Sequence, residues 1–264
     1  MPKGPYIPHH SLMALWPDIS SNEINGLGEA KQRNPSYVYS GNDPSDIVYG
    51  DLQRWFYSID PDHPGDTEER QRRAEIIASP LREIAKQKTP ITEELIQSFY
   101  KGSPSFKAFD KIGVSQFNPV WAFEGVTIVY KNIVILGFQH QYDEIRKAPK
   151  PASGLKVIRQ YGRAAFGSKY VANWLHGLGL DSEPLTGPMS GKVTMIPPAI
   201  ALGFGELGKH GSIINPEFGV SFRLFAILTD CPLPLNEHRE HGIDGFCETA
   251  CPPNALFSEK KLVR

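Results

Sequence analysis

Two apolar runs rich in β-branched residues constrain most strongly what this chain can fold into. The first covers residues 126–138, and the second is Phe222-Arg-Leu-Phe-Ala-Ile-Leu-Thr229. Continuous apolar runs of this kind are typical of strands that are covered on both faces of a sheet. The sequence therefore predicts a sheet whose central strands lie at 126–138 and 222–229.

The region between these two runs predicts a long core helix. Apolar residues recur near helical spacing across 155–178, and the glycines at 177 and 179 supply a stop. Upstream, the charge-rich segments 67–88 and 92–100 each have one apolar stripe, which is typical of surface helices. Helices mixed with a few long strands predict a layered α+β domain.

The first part of the chain has a different character from the rest. Residues 1–65 are rich in Pro, Ser, Asn, Asp and Gly and contain isolated aromatics, namely Trp16, Tyr37, Tyr39, Trp55 and Phe56. This composition predicts an irregular arm that wraps the body of the protein through its aromatic side chains. Residues 66–264 then form the α+β body.

Charge and hydropathy narrow the classes of partner. Lys and Arg total 28 against 29 for Asp and Glu, so the formal net charge is −1 and no basic excess favours nucleic acid. No apolar run reaches the ~18–20 residues that a membrane-spanning helix needs. The N-terminus, Met-Pro-Lys-Gly-Pro-Tyr, has no apolar signal core, so a cytoplasmic location is the default expectation.

A glycine-rich segment is the first candidate for a binding site. Gly203-Phe-Gly-Glu-Leu-Gly208 matches the G-x-G-x-x-G pattern of dinucleotide sites, but that pattern should follow a strand, and residues 197–202 predict a helix. Four glycines between positions 203 and 211 instead permit positive φ and a close approach of backbone to a flat or bulky ligand. The structural alternative is a tight crossing of two chain segments.

Three ordered motifs extend from the glycine-rich segment to residue 233. Pro197-Pro-Ala-Ile-Ala-Leu-Gly-Phe-Gly-Glu-Leu-Gly-Lys-His-Gly211 precedes Ile214-Asn-Pro-Glu-Phe-Gly219, and Arg223-Leu-Phe-Ala-Ile-Leu-Thr-Asp-Cys-Pro-Leu233 follows. This order resembles the cobamide-binding core of corrinoid-dependent reductive dehalogenases. There, a Gly-Leu-Gly-Glu-x-Gly-Arg loop leads to Thr-Pro-Glu-Tyr-Gly and to an Arg-bearing strand that ends in Thr-Asp-Leu-Pro-Leu. The more distant queuosine epoxide reductases share this plan.

The resemblance covers roughly the C-terminal half of the chain and implies a nitroreductase-like α+β core with cobalamin (a cobamide) as cofactor. His210 would donate a hydrogen bond to corrin amide groups, whereas His140 would be a strand-end residue. The residues that the resemblance assigns to cofactor binding are Gly203, Gly205, Glu206, Gly208, His210, Gly211, Asn215 and Pro216.

The resemblance also raises the question of iron–sulfur clusters. Reductive dehalogenases carry two [4Fe–4S] clusters in a ferredoxin-like insert with C-x2-C-x2-C-x3-C-P runs. This chain has three cysteines, Cys231, Cys247 and Cys251, fewer than the four thiolates of one cluster. We therefore expect a truncated member that has lost the insert and has no intramolecular [4Fe–4S] cluster.

The C-x3-C pair at 247 and 251 leaves two interpretations open. A structural remnant of the lost insert is favoured, and the alternative is an all-thiolate metal site pooled between two chains of a homo-oligomer. His238 and His241 lie near this pair, but their polar, loop-like surroundings favour exposed histidines over a zinc site. The sequence therefore predicts no metal ligand set within one chain.

The resemblance supplies two catalytic candidates, Tyr161 and Arg223. Reductive dehalogenases use a Tyr as proton donor beside the cobalt, and Tyr161 in Ile158-Arg-Gln-Tyr-Gly162 matches their Gly-Tyr-Ser motif best. A phenol titrates near ~10, so in a buried site it donates a proton when a cation such as that of Arg223 stabilises the phenolate. The alternatives are an ordinary core aromatic for Tyr161 and a structural ion pair for Arg223.

Three functions follow as expectations. The first is a corrinoid-dependent oxidoreductase component that takes electrons from an external low-potential donor, because the chain has no other redox centre. The second is a non-catalytic cobalamin or tetrapyrrole carrier, or a subunit of a larger complex. The third, a flavin or dinucleotide reductase, rests on the glycine pattern and on kinship with nitroreductase-type folds.

Overall fold

The main sheet of the protein consists of four antiparallel strands. In chain order these are β1 (Lys111–Gln116), β2 (Asn132–Gln139), β3 (Ser182–Leu185) and β6 (Phe222–Thr229), and they lie side by side as β1-β2-β6-β3. The short strands β4 (Glu206–Leu207) and β5 (Ile213–Ile214) form a separate two-stranded ribbon. The computed structural model describes residues 10, 33–38, 43–57, 64–102, 108–148, 150–187, 191–208 and 211–236.

Six helices surround the sheet in the described part of the chain. They are α1 (Gly50–Tyr57), α2 (Pro64–Ala78), α3 (Glu93–Lys101), α4 (Tyr142–Ile145), α5 (Pro151–Gly177) and α6 (Ile196–Ala201). Helix α3 begins where the Oγ1 of Thr92 accepts the backbone N–H of Leu95 at 3.2 Å, which is an N-cap. No helix among the described residues is both long and apolar enough to cross a bilayer.

The two central strands have apolar side chains on both faces of the sheet. On the face covered by α5, which we call the α5 face, the strand residues in the core are Val114, Val134, Leu136, Phe138, Phe225 and Ile227. On the opposite α6 face, which carries α6 and the segment after it, they are Ile133, Ile135, Leu185, Ala226 and Leu228. Successive residues of one strand therefore serve two different cores, as the two-residue period of a strand requires.

The central strands and the core helix agree with the sequence patterns. Strand β6 coincides with the predicted 222–229, and the buried part of β2 runs from Ile133 to Phe138. The predicted helix at 155–178 is present as α5, which begins at Pro151, a residue suited to a first helical turn. It ends just before Gly179, whose φ of 74° is a left-handed conformation that glycine adopts freely.

Two predicted elements were wrong in extent. The helix expected at 67–88 ends at Ala78, because the residue before Pro80 is disfavoured in the α conformation. The strand expected at 126–138 begins only at Asn132. Residues 126–130 lie outside any strand, and Val129 is 79% exposed, since this segment packs alternate side chains on the α6 face without joining a ladder.

Part of the predicted arm contacts the body. The ring of Tyr37 stacks on Phe123 with 4.1 Å between centroids, and its hydroxyl donates to the carbonyl of Gly191 at 3.0 Å. The division into an arm at 1–65 and a body at 66–264 stays a prediction. Several residues named in the sequence analysis lie outside the described part of the chain, namely Trp16, Tyr39, His210, His238, His241, Cys247 and Cys251.

Candidate functional site

Tyr161 and Arg223, the two predicted catalytic residues, are neighbours on the α5 face. Tyr161 lies in α5 and Arg223 is the second residue of β6. The guanidinium carbon of Arg223 lies 5.0 Å from the centroid of the Tyr161 ring, within the range of a cation–π contact. The structure therefore places a cation against the phenol, while the catalytic role of the pair stays a prediction.

A second arginine, which the sequence did not indicate, reaches the same ring. The guanidinium carbon of Arg73, on α2, lies 5.7 Å from the Tyr161 centroid. Phe225 contacts the ring from the sheet in an edge-on arrangement, with 6.1 Å between centroids. The ring of Tyr161 thus contacts two cations and one aromatic side chain.

His140 follows β2 directly and shares the α5 face with Arg223. Its backbone N–H donates to the carbonyl of Ser221 at 3.0 Å, which places it diagonally across from Arg223 in the β2–β6 pairing. The side chain is 6% exposed. Burial, then the charges of Arg223 and Lys156, lower the pKa of His140 from its ordinary value of 6.5 to about 4, so the ring is neutral at physiological pH.

Two buried nitrogen atoms of this group lack hydrogen-bond partners. Within the described residues, neither Nε of Arg223 nor Nδ1 of His140 has a partner, although both atoms are shielded from solvent. Buried polar atoms in proteins are nearly always paired, and exceptions are frequent at functional sites. The sequence interpretation of His140 as a plain strand-end residue therefore missed a polar group that is available to a ligand.

A cavity of about 600 Å³ opens beside His140. Its walls come from the end of β2, from α4 and from the first turns of α5, and they include Lys156 and Gln160. Arg163 forms two hydrogen bonds with Asp110, of 2.8 and 2.9 Å, at its edge. This volume lies within the ~300–1,000 Å³ range that is usual for small-molecule sites.

The glycine-rich segment lies on the other side of the sheet. Phe204 packs in the core of the α6 face, and helix α6 rather than a strand precedes Gly203, so the context of a dinucleotide fingerprint is absent there. A side chain at Gly205 would place its Cβ 2.0 Å from the carbonyl oxygen of Ile214. The missing side chain at Gly205 therefore permits the close crossing that brings β4 against β5.

Asn215 has its side chain fully occupied within the protein. The side chain is 1% exposed; its Nδ2 donates to the carbonyl of Phe204, and its Oδ1 accepts the N–H groups of Glu217 and Phe218, both at 2.8 Å. The remaining cofactor-binding candidates differ in solvent exposure. Glu206 is half-buried in β4, Gly208 is buried, and Gly211 and Pro216 are exposed.

These contacts differ in how well they suit a corrinoid. A corrinoid is a large flat macrocycle with amide side chains, and the unpaired buried nitrogens of Arg223 and His140 suit such polar groups. At Gly205, by contrast, the space that a glycine leaves is filled by the chain itself. Groups suited to such a ligand therefore lie at the end of the sheet around Tyr161, whereas the glycine-rich segment lies on the opposite face.

Cys231 is the cysteine that the structure describes. It is 1% exposed and free of disulfide bonds, and burial raises the pKa of its thiol to about 12. No group of three or more His, Cys, Asp or Glu side chains suited to a metal ion occurs in the described ranges. Cys231 is therefore a core residue held as the neutral thiol.

Comparison with curated proteins gives partial matches. A tetrachloroethene reductive dehalogenase from Desulfitobacterium hafniense is 29% identical over 154 residues, which are 56% of this chain and 27% of that protein. An epoxyqueuosine reductase from Vibrio cholerae is 28% identical over 180 residues, which are 64% of this chain and 47% of that protein. The chain thus spans less than half the length of these relatives. No protein-family model matches it.

Solved structures share the fold. A catabolic reductive dehalogenase superposes with a TM-score of 0.61 at 17% identity, covering 77% of this chain and 32% of that one. Another reductive dehalogenase, whose structure suggested a mechanism for B12-dependent dehalogenation, gives a TM-score of 0.59 at 18% identity and covers 76% of this chain and 32% of that one. Sequence motifs, curated relatives and fold agree that this part of the chain is similar to reductive dehalogenases.

Proposed function

We propose that the chain binds a corrinoid, cobalamin or a related cobamide, and serves as the corrinoid-binding component of a reductase. The observation that carries the proposal is the contact between the Arg223 guanidinium and the Tyr161 ring at the end of the sheet. The contact brings the phenol ring against a guanidinium whose Nε, like Nδ1 of the nearby His140, is buried without a partner among the described residues. The fold is shared with a reductive dehalogenase whose structure suggested a mechanism for B12-dependent dehalogenation, which supports the proposal.

The chemistry divides between the cofactor and the chain. A bound corrinoid would supply a cobalt centre that accepts and delivers electrons. The residues of the chain do the acid–base work: the hydroxyl of Tyr161 gives its proton, and the positive charge of Arg223 stabilises the phenolate that remains. Arg73, on the same ring, adds to this stabilisation and fixes the orientation of the phenol.

Electrons must come from another component in this proposal. The 264-residue sequence has three cysteines, and Cys231 is buried in the core. One [4Fe–4S] cluster requires about four thiolates. We therefore propose a separate low-potential donor, a protein with iron–sulfur clusters or a flavin, that reduces the corrinoid.

Reconstitution with cobalamin tests the proposal. We expect the full chain to retain cobalamin through gel filtration, with a visible spectrum that shifts when a low-potential reductant is added. With a halogenated phenol as substrate, Tyr161→Phe should retain the cofactor but lose at least ~10²-fold in turnover, the usual contribution of a positioned proton donor. Tyr170→Phe is the matched control, because it removes a hydroxyl from the same helix. Among the described residues, that hydroxyl bonds the carbonyl of Gly102 at 3.3 Å.

The result also separates the two main functions. Cobalamin binding without turnover by the unmodified chain would support the carrier function over the reductase. A chain that stays colourless after reconstitution would refute both.

A further inference from the structure

We propose that His176 carries a proton on both ring nitrogens and acts as a pH-sensitive clamp, which holds segment 80–91 against the end of α5 and the start of β3. The inference goes beyond the proposed function and does not depend on it. Three observations carry it: a carbonyl oxygen facing each ring nitrogen, a carboxylate beside the ring, and the place of the ring in the last turn of a helix.

The two ring nitrogens of His176 both face hydrogen-bond acceptors. Nδ1 lies 2.7 Å from the carbonyl oxygen of Arg82, and Nε2 lies 3.1 Å from that of Ser182. A carbonyl oxygen can only accept, and a neutral imidazole has one N–H group. Either neutral tautomer would therefore set a nitrogen lone pair against a carbonyl oxygen. The imidazolium, in which both nitrogens donate, satisfies both contacts.

The position of the ring also favours a positive charge. An oxygen of the Asp181 carboxylate lies 3.9 Å from Nε2 of His176, at the edge of the range for an ion pair. His176 belongs to the last turn of α5, where the partial negative charge of the helix end attracts a cation. Both features lower the cost of holding a charged ring that is 6% exposed.

The neighbouring elements contribute further titratable groups. Arg82, from segment 80–91, is a cation, but it is exposed, so solvent screens its charge. Glu183 of β3 pairs with Lys192 at 2.6 Å, and the hydroxyl of Tyr130 donates to Asp181 at 3.2 Å. Asp181 faces the ring directly but is itself 61% exposed. The two carbonyl contacts of the buried ring are therefore the stronger argument.

The segment that the clamp holds has no helix or strand of its own. Residues 80–91 lie outside the regular elements. The backbone N–H of Ala85 donates to the carbonyl of His176 at 2.8 Å, and that of Thr89 donates to the carbonyl of Leu178 at 2.9 Å. His176 thus bonds this segment through its backbone as well as through its ring.

Loss of the second ring proton would break the clamp. When the ring becomes neutral, one nitrogen turns into an acceptor, and the carbonyl of either Arg82 or Ser182 loses its donor. The clamp is therefore complete at low pH and is lost as the pH rises. Leu81 and Ile91, near the two ends of the segment, pack against the core of the α5 face, so release of the segment would uncover them.

NMR of the full chain without corrinoid, with 15N-labelled histidines, counts the ring protons. At pH ~7, where an ordinary histidine is mostly neutral, we expect both ring nitrogens of His176 to carry a hydrogen. His140 is the matched control, because it is also 6% exposed and is neutral, so its ring should carry one hydrogen. The variants His176→Gln and His140→Gln assign the two sets of signals.

Hydrogen exchange in the unmodified protein tests the clamp without any substitution. After correction for the intrinsic effect of pH on exchange, the protection of the Ala85 and Thr89 amides should fall about tenfold between pH ~6 and pH ~9, as expected for loss of one hydrogen bond from a charged donor. The amide of Asp110, which donates to the carbonyl of Gly137 at 2.9 Å, should keep its protection.

Two outcomes would overturn the inference. A single hydrogen on the His176 ring at pH ~7 would show a neutral tautomer that leaves one carbonyl without a donor. Equal protection of Ala85 and Thr89 at both ends of the pH range would show that the ring proton does not hold the segment. Neither result would bear on the binding of cobalamin.

Discussion

At the scale of single residues, the unpaired nitrogens of Arg223 and His140 are the most informative feature. A buried polar atom without a partner costs about 1–3 kcal/mol. Asn215, by contrast, bonds three backbone groups inside the same protein. The chain satisfies a buried amide on the α6 face, and the unsatisfied atoms on the α5 face are where our proposal puts the ligand.

The buried His140 makes stability depend on pH in one direction. Its pKa is about 4 in the folded protein against 6.5 ordinarily, so the unfolded chain binds the proton more tightly. Its contribution to the free energy of unfolding is therefore complete above pH 6.5 and is lost as the pH falls toward 4. We expect the loss to be on the order of 2 kcal/mol. Urea unfolding of the protein and of His140→Gln at several pH values measures it.

The variant His140→Gln is the control for the unmodified protein, because glutamine gains no proton in this pH range. From pH 7 to pH 4, the free energy of unfolding of the unmodified protein should fall relative to that of the variant. If the free energy of unfolding of the two proteins changed equally with pH over this range, the lowered pKa of His140 would be contradicted.

At the scale of elements, Lys169 joins two helices. It lies in α5, is 7% exposed, and donates its ammonium protons to the carbonyls of Ile76 and Ile77, both at 2.9 Å, and to that of Ser79. These carbonyls lie in the last turn of α2 and directly after it, where the helix offers no further N–H groups to bond them. A positive charge is also favourable there because the C-terminal end of a helix is partially negative.

Removal of this charge should loosen α2. We expect Lys169→Met to lower the free energy of unfolding by about 1.5–3 kcal/mol, the range for hydrogen bonds to a charged group. Hydrogen exchange of the amides at 74–78 should become faster than in the unmodified protein. Lys88→Met, at an exposed site, should change neither quantity, and equal effects of the two variants would show that the contacts of Lys169 do not hold the helix.

The elements also show what the sequence could predict. Strand β6 and helix α5 were predicted because their apolar pattern is local and long. Strand β3, Ser-Glu-Pro-Leu, has no such pattern and is a strand only because it pairs with β6. The opposite error arose at residues 126–130, which have strand composition but pair with no strand in the described ranges. Whether each segment forms a strand depends on pairing with a distant part of the chain, and the local composition carries no information about that pairing.

At the scale of the whole molecule, the sheet separates two groups of residues that the sequence analysis joined. Tyr161 and Arg223 are on the α5 face, and the glycine-rich segment is on the α6 face. The motifs were identified from their order along the chain, which carries no information about the faces of a sheet. The side of the sheet on which a residue falls depends on its odd or even position in a paired strand, so the motif order did not reveal the separation.

This separation predicts different effects of mutation on the two faces. Asn215→Ala should lower the free energy of unfolding by about 1–3 kcal/mol, because it leaves buried backbone groups unpaired. The cobalamin affinity of the folded variant should stay unchanged. Chemical unfolding together with a spectroscopic titration measures both. A large loss of affinity at unchanged stability would show that Asn215 binds the cofactor directly.

Strand β6 has one further property that follows from its central place. Arg223 lies on the α5 face while its neighbour Leu224 packs on the α6 face, and both assignments depend on the pairing of Phe138 with Arg223. Insertion or deletion of a single residue in the turn at 216–221 that shifted this register would bury the guanidinium among aliphatic side chains and turn leucine toward the phenol. The length of that turn is therefore under tighter constraint than its composition, and homologous chains should vary its residues while they keep their number.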